Sequence, residues 1–257
     1  MAQSKQQTVD LFRELTEGLP RQGPGSTEGT LRALAMVAGL PPKPRILDVG
    51  CGCGAQTINL ARATGGDIVA LDRSRRFLSE VVDRATAAGV ADQITVVCQS
   101  MFQMDFRDEE FDLVWSEGAI YIMGFAEGLS RCHRYLKPGG SIVVSELSWL
   151  TENPPAAARD FWATNYPQMQ TLEANQQIAF EAGYIDVQTF TLPVGEWWAN
   201  YYGPAETRLL EVRARHADDR DTVKRIDEIA REYDLFREHS DAYGYVFYIM
   251  TKPHAPR

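Results

Sequence analysis

The chain has 257 residues, 44% of them hydrophobic and 24% charged, with a net charge of −9. That length fits one large domain, or one domain with a sizeable insertion, and the apolar share is enough for a real core. The acidic balance repels phosphate backbones and argues against a nucleic-acid partner. No apolar run is long enough to span a bilayer, and the opening MAQSKQQTVD lacks the apolar core of a signal peptide. The expectation is therefore a cytoplasmic protein without a membrane partner, whose four cysteines are reduced thiols.

Val9, Leu11, Phe12 and Leu15 recur at helical spacing in TVDLFRELTEGL, which predicts a short amphipathic helix. PRQGPGS follows as a loop. STEGTLRALAMVAGL predicts a second helix, capped by Ser26 or Thr27, with Gly39 near its end and PPKP as its stop. RILDVG is a short buried strand, AQTINLARAT a helix ending at Gly65-Gly66, and DIVALD the next strand. RSRRFLSEVVDRATAAG is a longer helix closed by Gly89. ITVVCQS and FDLVWSEG are strands, FAEGLSRCHRYL is a helix, and KPGG turns into the strand SIVVSEL. Strand and helix alternate through Leu147 with short connections, the pattern of βαβ units and a parallel sheet covered on both faces. Residues 148–170 break that rhythm with prolines and aromatics and read as an insertion. TLEANQQIAFEAGY returns to helix and IDVQTFTLP to strand. Two charged helices, about Pro204–His216 and Asp219–Glu238, precede a last strand in YGYVFYIMTKP.

The stretch RILDVGCGCGAQT carries the main chemical signal. A strand that ends in Gly-x-Gly and opens a helix lets the backbone turn tightly against a ligand, and the helix N-terminus offers unpaired N–H groups. Gly50, Gly52 and Ala55 satisfy the Gly-x-Gly-x-x-Gly/Ala form of a dinucleotide loop, and Asp72 follows at the spacing of a ribose-binding acid. On these residues alone an NAD-dependent oxidoreductase stays open.

Four segments in order, ILDVGCGCG, IVALDRS, FDLVWSEG and LKPGGSIVVSE, resemble the ordered motifs of the Rossmann-like (class I) S-adenosylmethionine-dependent methyltransferases, of the small-molecule type. The resemblance spans about Arg45 to Leu147 and extends more loosely to the last strand. It implies an α/β fold: a doubly wound, seven-stranded, mainly parallel sheet with an antiparallel last strand, helices on both faces and a small helical, aromatic cap. Within one methyltransferase domain, residues 1–44 would form an N-terminal helical cap and 45–147 the cofactor-binding core. Residues 148–170 would be a cap insertion, and 171–257 would complete the sheet. The cofactor implied is S-adenosylmethionine (SAM), the partner a small-molecule methyl acceptor.

The same resemblance assigns roles. Gly50, Cys51 and Gly52 would let the backbone approach the methionine end of SAM, with Gln56 in the same loop-to-helix cradle. Asp72 would accept from both ribose hydroxyls, with Arg73, Ser100 and Met101 beside the adenine. Many relatives carry aspartate where this chain has Ser100. Ser116 and Glu117 would face the methionine ammonium. Glu117, Tyr121 and Glu146, at or just beyond carboxyl ends of strands, are the candidate bases or acceptor-orienting groups, because ligands of open α/β sheets bind there. Asp48, inside an apolar strand, reads as a buried acid bonded to the glycine loop or as a direct ligand contact.

Other features have simpler readings. Cys51 and Cys53 form C-x-C, whereas structural zinc usually takes two pairs with wider spacing. NPPA at Asn153–Ala156 lacks an aromatic fourth residue and reads as a loop breaker. His133, His216, His239 and His254 show no ligand spacing. The charged run RARHADDRDTVKRIDEIAREYD reads as a solvated helix face. Trp149, Phe161, Trp162, Tyr166, Trp197, Trp198, Tyr201 and Tyr202 lie outside the sheet repeat and either pack the insertion or wall a substrate site. Residues 7–26 and 148–170 are expected to meet above Gly50 and Glu117 as a lid. A SAM-binding protein without catalysis is also compatible with the sequence.

Overall fold

The computed structural model describes Leu11 and residues 13–254. In chain order the elements are α1 (Thr27–Ala35), β1 (Arg45–Val49), α2 (Ala55–Thr64), β2 (Asp67–Asp72), α3 (Arg75–Ala88), β3 (Ile94–Cys98), β4 (Phe111–Glu117) and α4 (Phe125–Tyr135). There follow β5 (Leu136–Trp149), α5 (Ala156–Asn165), α6 (Leu172–Glu181), β6 (Ile185–Thr191), α7 (Gly203–Arg215), α8 (Arg220–His239) and β7 (Tyr243–Thr251). The strands form one sheet in the order β3-β2-β1-β4-β5-β7-β6. The first five pair in parallel, and β7 runs antiparallel to both β5 and β6. This is the doubly wound sheet with an antiparallel last strand expected from the sequence.

Local chemistry sets the boundaries. Ser26 Oγ caps α1 by accepting from Gly29 N at 2.7 Å, and Ser74 Oγ accepts from Phe77 N at 3.4 Å at the start of α3. Gly65 and Gly89 end α2 and α3 in the left-handed conformation that suits a helix C-terminus. Side chains of β1 alternate between two apolar layers. Ile46 joins Ile68, Leu113, Trp115 and Val143 on one face; Leu47 and Val49 join Leu71, Val114 and Val144 on the other. Each fully buried Leu, Ile or Val contributes about 1.5–3 kcal/mol relative to exposure, so the two-sided burial of β1 fixes its place at the centre.

The structure adds detail that the sequence pattern did not carry. KPGG is no simple turn: β5 starts at Leu136 opposite Phe111, and the register shifts between Phe111 and Leu113. Lys137–Gly140 therefore bulges from the ladder, with Gly139 at a φ of 79°. The proline- and aromatic-rich insertion contains α5. Where no element was expected, a helical turn at Val194–Trp197 continues through wider turns at Trp198–Tyr202 into α7, itself expected at about Pro204–His216. Helix α8 is not uniformly a solvated face, since Ile226, Tyr233, Leu235 and Phe236 are buried. Of the expected N-terminal helix, residues 13–16 are helical and residues 8–10 and 12 lie outside the described residues.

Candidate cofactor and acceptor site

Because β1, β2, β4 and β5 are parallel, their carboxyl ends lie along one edge of the sheet. The register pairs Val49 with Leu71 and Glu117 with Ser145, which brings Gly50, Asp72, Glu117 and Glu146 to that edge. The loop after β1 turns there. Gly50, Gly52 and Gly54 have φ of 73°, 54° and 82°, values that residues with a Cβ rarely adopt. A Cβ on Gly50 would also sit 2.5 Å from Ala119 Cβ. The backbone N–H groups of Gly50 and Cys51 both donate to Leu71 O, at 2.8 and 3.0 Å, which ties the loop to β2.

Asp72 closes the other side of the cradle. Its Oδ2 accepts from Gly52 N at 3.1 Å and its Oδ1 from Ser74 N at 2.7 Å. Each oxygen keeps a free lone pair, so the carboxylate can accept two further donors. Met101 packs beneath the loop: its Cε lies 3.2 Å from the position of a Gly50 Cβ. Ser100 Oγ accepts from Phe102 N at 3.3 Å in the adjoining turn, and Arg73 is exposed after β2. These predicted cofactor residues converge.

Others are committed to the protein itself. Asp48 is fully buried and accepts from Thr57 Oγ1 at 2.6 Å and Gln56 Nε2 at 3.3 Å. Burial pushes its carboxyl up to about 7, against the lowering effect of those two bonds. Gln56 Nε2 also donates to Cys51 O at 3.3 Å, so Asp48 and Gln56 brace the loop from behind. Ser116 Oγ is buried and donates to Val49 O at 2.9 Å, joining the ends of β4 and β1. Cys51 and Cys53 are buried; their thiols point to Gly52 O and Pro20 O, and burial raises both.

The segment before α1, part of the lid expected over residues 7–26, contributes directly. Gln22 Oε1 accepts from Cys53 N at 3.0 Å, while Gln22 Nε2 is buried without a partner. Arg21 forms a buried ion pair with Glu117, whose Oε1 also accepts from Thr30 Oγ1 at 2.7 Å and Trp115 Nε1 at 2.9 Å. Oε1 thus has both lone pairs in use, and Oε2 retains one. Ser26 Oγ donates to Glu196, which joins this segment to the helical turn at Val194–Trp197.

Glu146 stands in contrast. It is 1% exposed, and its Oε1 accepts from Tyr166 OH at 2.6 Å, but its Oε2 has no partner. Burial pushes its carboxyl up to about 8, so it holds its proton at neutral pH. The Tyr166 ring lies edge-on to Tyr121, with centroids 5.7 Å apart. Tyr121 is 42% exposed, and burial of its hydroxyl end with Glu146 nearby raises its pKa. Between the two expected lid segments, among the described residues, no hydrogen bond links 13–26 to 148–170. The gap is bridged by rings, Trp197 on Phe236, Phe236 on Tyr243 and Tyr243 on Trp162.

Arg21, Gln22, Thr30, Glu232 and Tyr245 were not singled out from the sequence. A lone arginine in a Pro/Gly loop gave no usable signal. Glu232 did leave one, because it lies in the stripe formed by Ile229, Tyr233 and Phe236.

Comparison with known proteins agrees with this geometry. Residues 46–140 match the family described as a methyltransferase domain. The ubiquinone/menaquinone biosynthesis C-methyltransferase UbiE of Cereibacter sphaeroides is 31% identical over 184 residues, which cover 70% of this chain and 73% of that protein. A sterol 24-C-methyltransferase of Yarrowia lipolytica is 38% identical over 114 residues, 44% of this chain and 30% of that one. The chain spans 30%, 45% and 32% of the length of the first three curated relatives it matches. Among solved structures, a SAM-dependent methyltransferase from Thiobacillus denitrificans in complex with S-adenosyl-L-homocysteine superposes with a TM-score of 0.79 at 21% identity, covering 93% of this chain and 97% of that one. The chain belongs to the class I SAM-dependent methyltransferases. Among the described residues, no helix is long and apolar enough to cross a membrane.

Proposed function

We propose that this chain transfers a methyl group from SAM to a small-molecule acceptor. The observation that carries the reading is the cradle formed by Gly50–Gly54 and Asp72, where three positive-φ glycines and a half-free carboxylate meet at the carboxyl edge of the sheet. The residues present fit the cofactor. Asp72 has lone pairs for two ribose hydroxyls. The orphaned Gln22 Nε2 supplies a buried donor beside Gly52, suited to a carboxylate. The remaining lone pair of Glu117 Oε2 suits an ammonium. Met101 and Ser100 line the adenine side, with Arg73 at its rim. Cys51 contributes backbone, and the Gln56 amide N–H and the Ser116 hydroxyl hold the loop and strand ends in place.

When bound, SAM supplies an activated methyl group on a sulfonium, a good leaving group. The protein's work is then positioning and exclusion of water. Tyr121 and Glu146 are the acceptor-side groups, and residues 148–170 deliver Tyr166 to cover Glu146. In this reading 1–44 covers the cofactor side, 45–147 is the cofactor core, and 171–257 completes the sheet and the aromatic wall. A net charge of −9 supports a small, non-nucleic-acid acceptor and agrees with a cytoplasmic protein.

Calorimetric titration tests the cofactor. SAM and S-adenosylhomocysteine (SAH) are expected to bind and NAD is not. NAD binding without SAH binding would overturn the assignment.

A further inference from the structure

Around Glu146 lies a group of side chains that the cofactor reading leaves without a role. The Tyr245 hydroxyl is 3.9 Å from the position of a Cβ on Gly118, which directly follows Glu117. The hydroxyls of Tyr121, Tyr201 and Tyr245 have no hydrogen-bond partner among the described residues. Tyr121 is 42% exposed, and the Tyr201 and Tyr245 hydroxyls are absent from the fully sealed polar atoms that lack partners, so those two border accessible space. Burial raises all three, and their charged or ionisable neighbours include Glu146, Glu232 and one another. Glu232 reaches in from α8; its Oε1 accepts from Tyr202 OH at 2.5 Å, and burial raises it too. The hydrogen bonds that reach the two acids come from tyrosines, Tyr166 OH to Glu146 and Tyr202 OH to Glu232.

Burial pushes both enclosed carboxyl groups, one of them with a buried oxygen that has no hydrogen-bond partner, toward the neutral form, and a cation beside them stabilises the charged form. Tyrosine faces attract the same kind of group, because the ring quadrupole is negative above its plane. An anionic acceptor would meet two acids and no counter-charge here. A neutral hydroxyl could hydrogen-bond to Glu146 Oε2 but would bring no positive charge to the two acids or to the tyrosine faces.

Resting on the methyltransferase reading, we propose that the acceptor is an amine, held as its ammonium form among Tyr121, Tyr166, Tyr201 and Tyr245 with Glu146 and Glu232 as its counter-charges. Glu146 takes the proton. The ammonium R–NH3+ passes one proton to the Glu146 carboxylate, and the freed nitrogen lone pair forms the N–CH3 bond. The C–S bond of the sulfonium breaks with its electrons on sulfur. The products are R–NH2–CH3+ and a neutral thioether.

The test uses three isosteric probes, benzylamine, benzyl alcohol and benzoate, titrated by calorimetry into the whole chain saturated with SAH. SAH binding is measured first, so that failure of the cofactor reading is seen separately. Benzylamine is expected to bind, and more tightly as pH rises toward about 8, where the Glu146 carboxyl ionises. The groups acting on Glu146 over that range are Tyr166, Tyr121, Tyr245 and Tyr248. Glu146→Gln should weaken benzylamine about tenfold or more, abolish that pH slope and leave SAH affinity unchanged. Glu232→Gln is the second variant should Glu146→Gln fold poorly, with a smaller loss expected. The inference is overturned if benzylamine fails to bind at millimolar concentration, if benzyl alcohol or benzoate binds as well, or if both variants keep wild-type affinity. It is also overturned if Glu146→Gln weakens cationic SAM against neutral SAH while benzylamine is unaffected, for the acids then serve the sulfonium.

Discussion

The Arg21–Glu117 pair is the sharpest quantitative claim the site makes, and a double-mutant cycle tests it. The side chains are 8% and 1% exposed, so both charges are out of water. Removing one partner of a buried pair strands the other and costs about 3–5 kcal/mol. In Arg21→Met the Glu117 carboxylate keeps Thr30 Oγ1 and Trp115 Nε1 as neutral donors, each contributing about 1 kcal/mol. The loss should therefore fall near the lower end, about 3 kcal/mol. Glu117→Gln keeps an acceptor for those donors but leaves the guanidinium unpaired, and a similar loss is expected. The double variant Arg21→Met/Glu117→Gln strands no charge, so its cost should be about 2–3 kcal/mol less than the sum of the two. Urea unfolding, followed by circular dichroism and tryptophan fluorescence, measures all four proteins. Such losses are a large share of an ordinary domain's 5–15 kcal/mol or so. Single changes costing under about 1 kcal/mol, or strictly additive ones, would refute the reasoning and place the pair with weak surface contacts.

Asp72→Ala should weaken SAH binding by about 1–3 kcal/mol in calorimetry while the fold persists; unchanged affinity would remove the ribose assignment. Gly52→Val, at a φ of 54°, should abolish SAH binding and lower stability by about 1–3 kcal/mol in a thermal melt. Asp48 has its folded pKa raised from 3.8 to about 7, so the native state binds more protons than the unfolded one between those values, and stability falls as pH rises through that window. The integrated effect is on the order of 4 kcal/mol. Asp48→Asn should flatten that part of the pH profile in urea midpoints taken from pH 4 to 8, leaving the Glu146 contribution, which runs in the same direction.

Local relations were legible in the sequence, and distant ones were not. The β1–loop–α2 unit shows in RILDVGCGCGAQT because strand period, glycine turn and helix start are neighbours. Even the brace of Asp48 by Gln56 and Thr57 spans only eight or nine residues. Arg21 and Glu117 are 96 residues apart, and Tyr202 and Glu232 are 30 apart. Such partners are chosen by how elements cross, which leaves no periodic trace. Glu146 was found because the expected strand SIVVSEL ends just after it, although β5 runs on to Trp149, and its missing partner follows from the packing of Tyr166 and β7 around it. Ser116 shows the converse. Its position at a strand end marked it as a ligand contact, yet its hydroxyl is spent on Val49 O.

The two acids at neighbouring strand ends divide the site. Glu117 has an arginine, a threonine and an indole N–H around it, all supplied by α1, β4 and the segment before α1. Those bonds tie the end of β4 to α1 and to the chain before it. Glu146, one strand over, has a single tyrosine bond and an oxygen with nothing beside it. Burial there favours the neutral form, and only a cation arriving from outside reverses the balance. One acid is completed by the fold and the other waits for a ligand. Under the proposed function, the contrast would put cofactor retention on the Arg21 side and proton acceptance on the Tyr166 side. Residues 13–26 reach Glu117 through Arg21 and residues 148–170 reach Glu146 through Tyr166, and the aromatic wall from Trp197 to Trp162 lies between them.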